Sequence, residues 1–355
     1  MRRISFFTIA FLTILATLPA FDSDPEFGID RGNLSLSPAP ERASTLEAIR
    51  ALGADWFSDG YNTKVQFEDF VDEVRLAKQQ SLKFMMKISP NHLDYDEGVV
   101  AGDNGGDAFK RRCGWSSGSP KYSRVNSAKL AARLGTQLDA LKAAGLTVDA
   151  FQIGSEVDWI CFNGDVPDGH EATQDEFMTA VRGYAHFLKT AAEVIHAHYP
   201  NAKILTFGIA HVSDIDSPPH HFSRPARMIA ALRNLDGFNY LDNASYHVDA
   251  YGEHIYPKPN YVAKDTLNKM REDIEILGHD RPYWVTEWGL NSKSFPDKEG
   301  ETRVQAAAQF YKALDSLHVS FGPLFYFGYD WAGGKGLTDQ SGNPQPDAKA
   351  ILLHK

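Results

Sequence analysis

The chain has 355 residues, 43% of them hydrophobic and 23% charged, which is the balance of a folded globular protein and excludes a disordered or low-complexity one. Its formal net charge of -10 excludes the basic footprint of a protein that holds a nucleic-acid backbone, so no nucleic-acid partner is expected. A single barrel with loop insertions fills this length as readily as two smaller domains.

Residues 1–20 read as a secretory signal peptide. Met1-Arg2-Arg3 supplies a basic start, the run from Ile4 to Leu18 is uncharged, and Ala20 is a small residue at the cut, ahead of Asp22-Ser23-Asp24. The apolar run is shorter than the roughly twenty residues that a spanning helix needs. The mature chain, 21–355, is therefore expected to be secreted, periplasmic or attached to the cell surface, with no integral membrane domain. An uncleaved anchor is the alternative, because Leu18 departs from the small residue usual at the third position before a cut.

From residue 27 onward strand-like runs alternate with helix-like ones. Strands are predicted at 27–30, 54–58, 82–89, 149–154, 203–208, 250–256, 283–287 and 324–329. Amphipathic stretches predict helices between them at 44–52, 67–77, 128–144, 173–199, 224–235, 266–277 and 301–317. Thr173-Gln174-Asp175-Glu176 is a helix-start signature, and Tyr199-Pro200 ends the same helix. Such alternation means an α/β fold with a parallel sheet, and eight strands predict one (β/α)₈ barrel. The long segments 91–123, 158–170 and 211–223 follow the third, fourth and fifth strands, on the face where such a barrel builds its site, and mark a cleft.

Two of the strands end in a carboxylate. Val148-Asp149-Ala150-Phe151-Gln152-Ile153-Gly154-Ser155-Glu156 delivers Glu156, and Pro282-Tyr283-Trp284-Val285-Thr286-Glu287-Trp288-Gly289 delivers Glu287. A pair of this kind suits glycosidic bond cleavage. The acetal oxygen leaves slowly unless it is protonated, and the oxocarbenium-like carbon needs negative charge or a nucleophile on its other side. His254 and Tyr256, at the end of the sixth strand, share one side by period-two alternation and point to the site, while Glu253 turns toward the helix layer. Asp30, Arg31, Asp59 and His92, at the ends of the first three strands, are placed for hydroxyl contacts. Trp331, Trp159, Trp288 and Trp115 are aromatic candidates for stacking on sugar rings. Cys113 and Cys161 are the only cysteines and fall in adjacent loops on the same face, so they are expected to pair as a disulfide.

In their order along the chain these motifs resemble the clan A (β/α)₈ retaining glycoside hydrolases, of the family 5 and family 39 type. The resemblance covers nearly the whole mature chain, with Glu156 on the fourth strand, His254-Ile255-Tyr256 on the sixth, Glu287 on the seventh and Trp331 after the eighth. It implies that Glu287 is the nucleophile, Glu156 the acid/base, and Tyr256 a hydrogen-bond donor to the nucleophile. It also implies double displacement on β-linked oligo- or polysaccharides, with no cofactor and no metal. The long loops favour endo action, and the chain is expected to work as a monomer. Ser155 is a departure, since most members carry an asparagine there that bonds the sugar 2-hydroxyl. Two other readings stay open. One is a carbohydrate-binding barrel without chemistry, and the other a metal-dependent barrel hydrolase, for which His170, His196, His198, His220 and His221 lack an evident ligand pattern.

Overall fold

The computed structural model describes residues 25–99, 102–212, 220–290, 300–330, 336–339 and 342–353. The expected signal peptide, Trp331 and part of the segment after the fifth strand lie outside them. Eight parallel strands close into a barrel in chain order: β1 (Phe27–Asp30), β2 (Trp56–Gly60), β3 (Lys83–Ile88), β4 (Ala150–Ile153), β5 (Lys203–Ile209), β6 (Ala250–Ile255), β7 (Tyr283–Trp288) and β8 (Phe321–Phe327). Around them run α1 (Ala39–Ala51), α2 (Phe67–Gln79), α3 (Asp107–Cys113), α4 (Ser127–Ala143), α5 (Gln174–His198), α6 (Ala226–Ala231), α7 (Val262–Leu277), α8 (Arg303–Asp315) and α9 (Ala348–Leu353). This is the (β/α)₈ barrel that the alternation predicts. Among the described residues no helix is long and apolar enough to cross a membrane.

Local chemistry sets the element ends. The Thr173 side chain accepts from the Glu176 N–H while the Glu176 carboxylate accepts from the Thr173 N–H, so α5 starts on a reciprocal cap, and Thr302 with Gln305 starts α8 in the same way. Helix α1 starts five residues before its predicted position because proline suits the first turn, where no N–H is needed. Strand β2 runs two residues beyond its predicted end and takes in Asp59, since the ladder to β3 continues through Gly60 opposite Lys87. Strand β8 starts three residues earlier than predicted. Its Pro323, which cannot donate to a ladder, lies where the register against β7 slips between Tyr283 and Val285.

Inward side chains of seven strands form a closed apolar layer low in the barrel, made of Trp56, Met85, Ala150, Leu205, Ala250, Trp284 and Phe325. The larger core lies between the outer strand faces and the helices. Above the low layer the inward positions become polar. On β3 the step from Met85 leads to Lys87, and on β6 the step from Ala250 leads to His254.

Strand β7 breaks this period at the residue that matters most. From inward Trp284, strict alternation would turn Thr286 inward and Glu287 out. The register instead jumps from Glu253 opposite Val285 to His254 opposite Glu287, and β8 skips at the same place, so a bulge at Thr286 brings Glu287 to the barrel mouth.

The expected disulfide between Cys113 and Cys161 is present, joining the loop after β3 to the loop after β4. It closes 48 residues of chain. In the chain-entropy picture, replacing both cysteines with serine should lower the unfolding free energy by roughly 2–4 kcal/mol. Urea titration of the variant beside wild type measures this, and coincident transitions would show that the crosslink adds no stability.

Candidate active site

Glu156 stands three residues beyond β4, in the left-handed region with φ of 48°. A non-glycine residue stays there only when its surroundings fix it. Here the Glu156 N–H donates to the Gly208 carbonyl at 3.0 Å, and the Ala210 N–H donates to the buried Asp158 carboxylate at 3.1 Å. The chain then turns back on itself, with the Asn163 side-chain amide donating to the Val157 carbonyl at 2.9 Å. β5 thus holds the Glu156 turn at two points.

Glu287 reaches the same mouth from β7, and one carboxylate oxygen from each residue lies within 4.8 Å of the other. Glu156 is 8% exposed and Glu287 7%. His254 lies fully buried beside both, with Nδ1 hydrogen-bonded to Glu156 Oε1 at 2.9 Å and Nε2 3.5 Å from Glu287 Oε1. Its ring fits because residue 208 is glycine; a Cβ there would come within 2.1 Å of His254 Nε2. The Tyr256 hydroxyl donates to Glu287 Oε2 at 2.6 Å. The Lys87 ammonium donates to Glu287 Oε1 at 2.5 Å and also pairs with Asp30.

This setting pushes the two glutamates apart. Burial favours the protonated form of Glu287, but the neighbouring His254 and Lys87, with the Lys87 and Tyr256 hydrogen bonds, outweigh it and hold the carboxyl down at about 2. Burial pushes Glu156 up, against the hydrogen bond from His254, and the Glu287 charge adds to the rise. Burial also lifts Asp30 to about 7, with Lys87 opposing and Glu287 reinforcing. Lys87 stays charged because Asp30 and Glu287 outweigh its own desolvation.

A cleft of about 780 Å³ opens over the Glu287 side, lined by the loops after β1, β2, β3 and β8 together with Lys87, Ser155, Phe162 and Glu287. Of the residues proposed from sequence, Asp30, Arg31, Asp59, His92 and Ser155 all line it. Arg31 is tied to Asp330 across the cleft wall at 2.8 Å, and His92 stands exposed at the rim.

Three readings need correction. The Asp59 carboxylate is spent on the N–H groups of Asn33, Leu34 and Gly60, so it shapes the first loop in place of meeting a hydroxyl. Trp288 is fully buried among Phe310, Tyr311 and Tyr326, because the bulge that turns Glu287 inward turns its neighbour out to the helix layer. Trp159 is half-buried against Phe162, and it is Phe162 that borders the cleft. Trp115 is 37% exposed and packs on Phe109 and Phe162 beside the disulfide. Glu253 faces the helix layer, as alternation indicates, and meets His211.

The sequence reading missed Lys87. Its signal was a lone charge inside the apolar run Phe84-Met85-Met86-Lys87-Ile88, two residues from inward Met85. The histidines considered for a metal are dispersed, with His170 paired to Glu176, His198 to Asp139 and His220 to Asp168.

No protein-family model and no curated protein matches the sequence. Solved structures do match in fold. A Bacteroides ovatus GH5 xyloglucanase in complex with a XXXG heptasaccharide shares 12% identity at a TM-score of 0.59, over 93% of this chain and 74% of that one. A structure from a study of two fungal β-1,4-galactanases shares 15% at 0.60, over 93% and 99%. An endo-1,4-β-mannanase from Rhizomucor miehei shares 11% at 0.57, over 93% of each chain. The chain has the barrel fold of these proteins. At such identities the likeness is one of fold, and the chemistry has to be argued from the side chains.

Replacing Lys87 with methionine leaves two buried carboxylates without their cation. The variant should lose about 3–5 kcal/mol of stability, and the Glu287 carboxyl should titrate above about 2, toward or beyond the ordinary glutamate range. Denaturant unfolding and a carbon-13 titration of the Glu287 carboxyl read the two effects. A Glu287 titration unchanged by the substitution would remove Lys87 from the account.

Proposed function

We propose that the chain is a retaining glycoside hydrolase that cleaves β-linked oligo- or polysaccharides by double displacement. The observation that carries this reading is the pair Glu156 and Glu287, with oxygens within 4.8 Å across the barrel mouth and pKa values driven in opposite directions. An inverting enzyme keeps its carboxyl groups roughly 6.5–9.5 Å apart to admit a water, whereas a retaining one needs about 5–5.5 Å. The narrow gap supports attack by the protein itself.

In the first step Glu287, ionised and aimed by Lys87 and Tyr256, attacks the anomeric carbon as the glycosidic C–O bond breaks. Glu156 gives its proton to the departing oxygen. The His254 hydrogen bond engages Glu156 Oε1 and leaves Oε2 for that transfer. Esterification then removes the Glu287 charge that helped to keep Glu156 protonated, so Glu156 becomes the base for the incoming water. Water attacks the anomeric carbon, Glu156 takes its proton, and the Glu287 ester bond breaks to release the sugar.

The cleft running over the loops after β1, β2 and β3 supports a substrate of several sugar units and endo action. Candidate polymers are β-mannan, β-glucan and related β-linked chains. Such a substrate and the Cys113–Cys161 bridge both fit an exported enzyme in an oxidising compartment.

Glu287→Ala should abolish turnover of a β-glycan. Glu156→Ala should keep activity on aryl β-glycosides whose leaving group needs no proton, with partial rescue by azide. In wild type, kcat/KM should fall on the acid side as Glu287 gains its proton, toward about 2, and on the alkaline side as Glu156 loses its own, above the ordinary 4.5. Reducing-end release across a polysaccharide panel and the pH profile measure these outcomes. Full activity of the Glu287 variant would refute the assignment, and sugar binding by wild type without product would leave a binding barrel.

A further inference from the structure

A second cluster of buried titratable groups lies outside the barrel wall, where the end of β5 meets β6 and α7. His211 follows β5, Glu253 faces outward from β6 and Asp273 comes from α7. His211 Nε2 lies 2.9 Å from Glu253 Oε2 and 3.0 Å from Asp273 Oδ2. All three side chains are nearly inaccessible, at 7%, 0% and 2% exposure. The proposed glycosidase chemistry uses none of them.

Hydrogen bonds alone serve this cluster poorly. One ring nitrogen carries at most one hydrogen, yet two carboxylate oxygens converge on it. Glu253 Oε2 takes the hydrogen bond and Glu253 Oε1 is left without one, while Asp273 Oδ2, 3.0 Å from the same nitrogen, competes for the one ring hydrogen. The charges are also unequal, since two carboxylates face a single imidazole, with the buried Asp158 carboxylate nearby. Buried oxygens left in this state are costly, and a cation that takes a lone pair from each group removes both faults.

The spacing suits such an ion. With bonds of about 2.0–2.2 Å, nitrogen and oxygen donors around one zinc ion stand roughly 3 to 3.5 Å apart, depending on the coordination angle, and the two measured edges lie at the near end of that range. His211 and Asp158 also line a surface cavity of about 560 Å³, which gives an ion access. At the barrel mouth Glu156, His254 and Glu287 also lie within 4.8 Å of one another, but there the Lys87 ammonium and the Tyr256 hydroxyl already fill the Glu287 oxygens. We propose that His211, Glu253 and Asp273 form a binding site for one divalent transition-metal ion, with zinc as the probe. The ion would pin the end of β5 and α7 to β6, one residue from His254.

The test uses tag-free protein stripped with chelator and titrated with zinc by calorimetry, with thermal unfolding in parallel. One equivalent per chain and a higher midpoint are expected for wild type and for Glu287→Gln, and both effects should disappear in Asp273→Asn. Zinc K-edge absorption of the wild-type complex should show a single imidazole among oxygen ligands, a reading that does not require any variant to fold. Folded wild type that takes up no stoichiometric zinc, binding lost in Glu287→Gln but kept in Asp273→Asn, or a shell with several imidazoles would each overturn the site. Because every readout is metal uptake, its effect on unfolding or its spectrum, the outcome is independent of whether the chain cleaves glycans.

Discussion

The Lys87 ammonium is what allows two carboxylates to sit buried at the mouth of this barrel. Asp30 comes from β1, Glu287 from β7 and Lys87 from β3, and each lies above the apolar layer in the barrel interior. A buried carboxylate without a counter-charge takes up a proton and ceases to be a nucleophile. With Lys87 against it Glu287 stays ionised, whereas Asp30, which has the same cation and the Glu287 charge nearby, is lifted to about 7. One cation does not hold the two carboxylates equally here, and the arrangement favours ionised Glu287 over Asp30.

His254 completes the separation. It meets Glu156 through one nitrogen and approaches Glu287 through the other, so one ring bridges the two glutamates. The space for that ring is supplied by Gly208 on the neighbouring strand, and the same glycine's carbonyl fixes the Glu156 backbone. Position 208 therefore governs both the placement of the imidazole and the turn that carries the proposed acid/base. A substitution there would disturb the two together.

How far the sequence revealed this follows from what each signal depends on. The barrel was legible because alternating apolar runs and amphipathic stretches report burial, which is a local property repeated eight times. Glu156, Glu287, His254 and Tyr256 were legible as polar groups at the ends of such runs, and they do converge. Trp288 was misread because an aromatic beside a site glutamate suggests a subsite, whereas neighbours in a strand face opposite sides and an inward Glu287 turns Trp288 out to the helix layer. Asp59 was misread because two of the three backbone groups that consume it, those of Asn33 and Leu34, belong to a loop 26 and 25 residues away. Lys87 went unseen because a charge within an apolar strand gains its meaning only from partners on β1 and β7. Ser155 does border the cleft, so the shortened side chain faces the space where a sugar would lie.

The slip in β7 also carries a consequence for how such a barrel can change. The inward placement of Glu287 depends on one surplus backbone unit, since an uninterrupted ladder would present Thr286 to the interior and hide the carboxylate among the helices. Removing a single codon at that point would leave hydrophobic content, strand count and closure almost untouched while turning the carboxylate out of the mouth. A folded descendant without the Glu156–Glu287 pair is thus only one small indel away, and the length of this strand does as much to form that pair as the glutamate it displays.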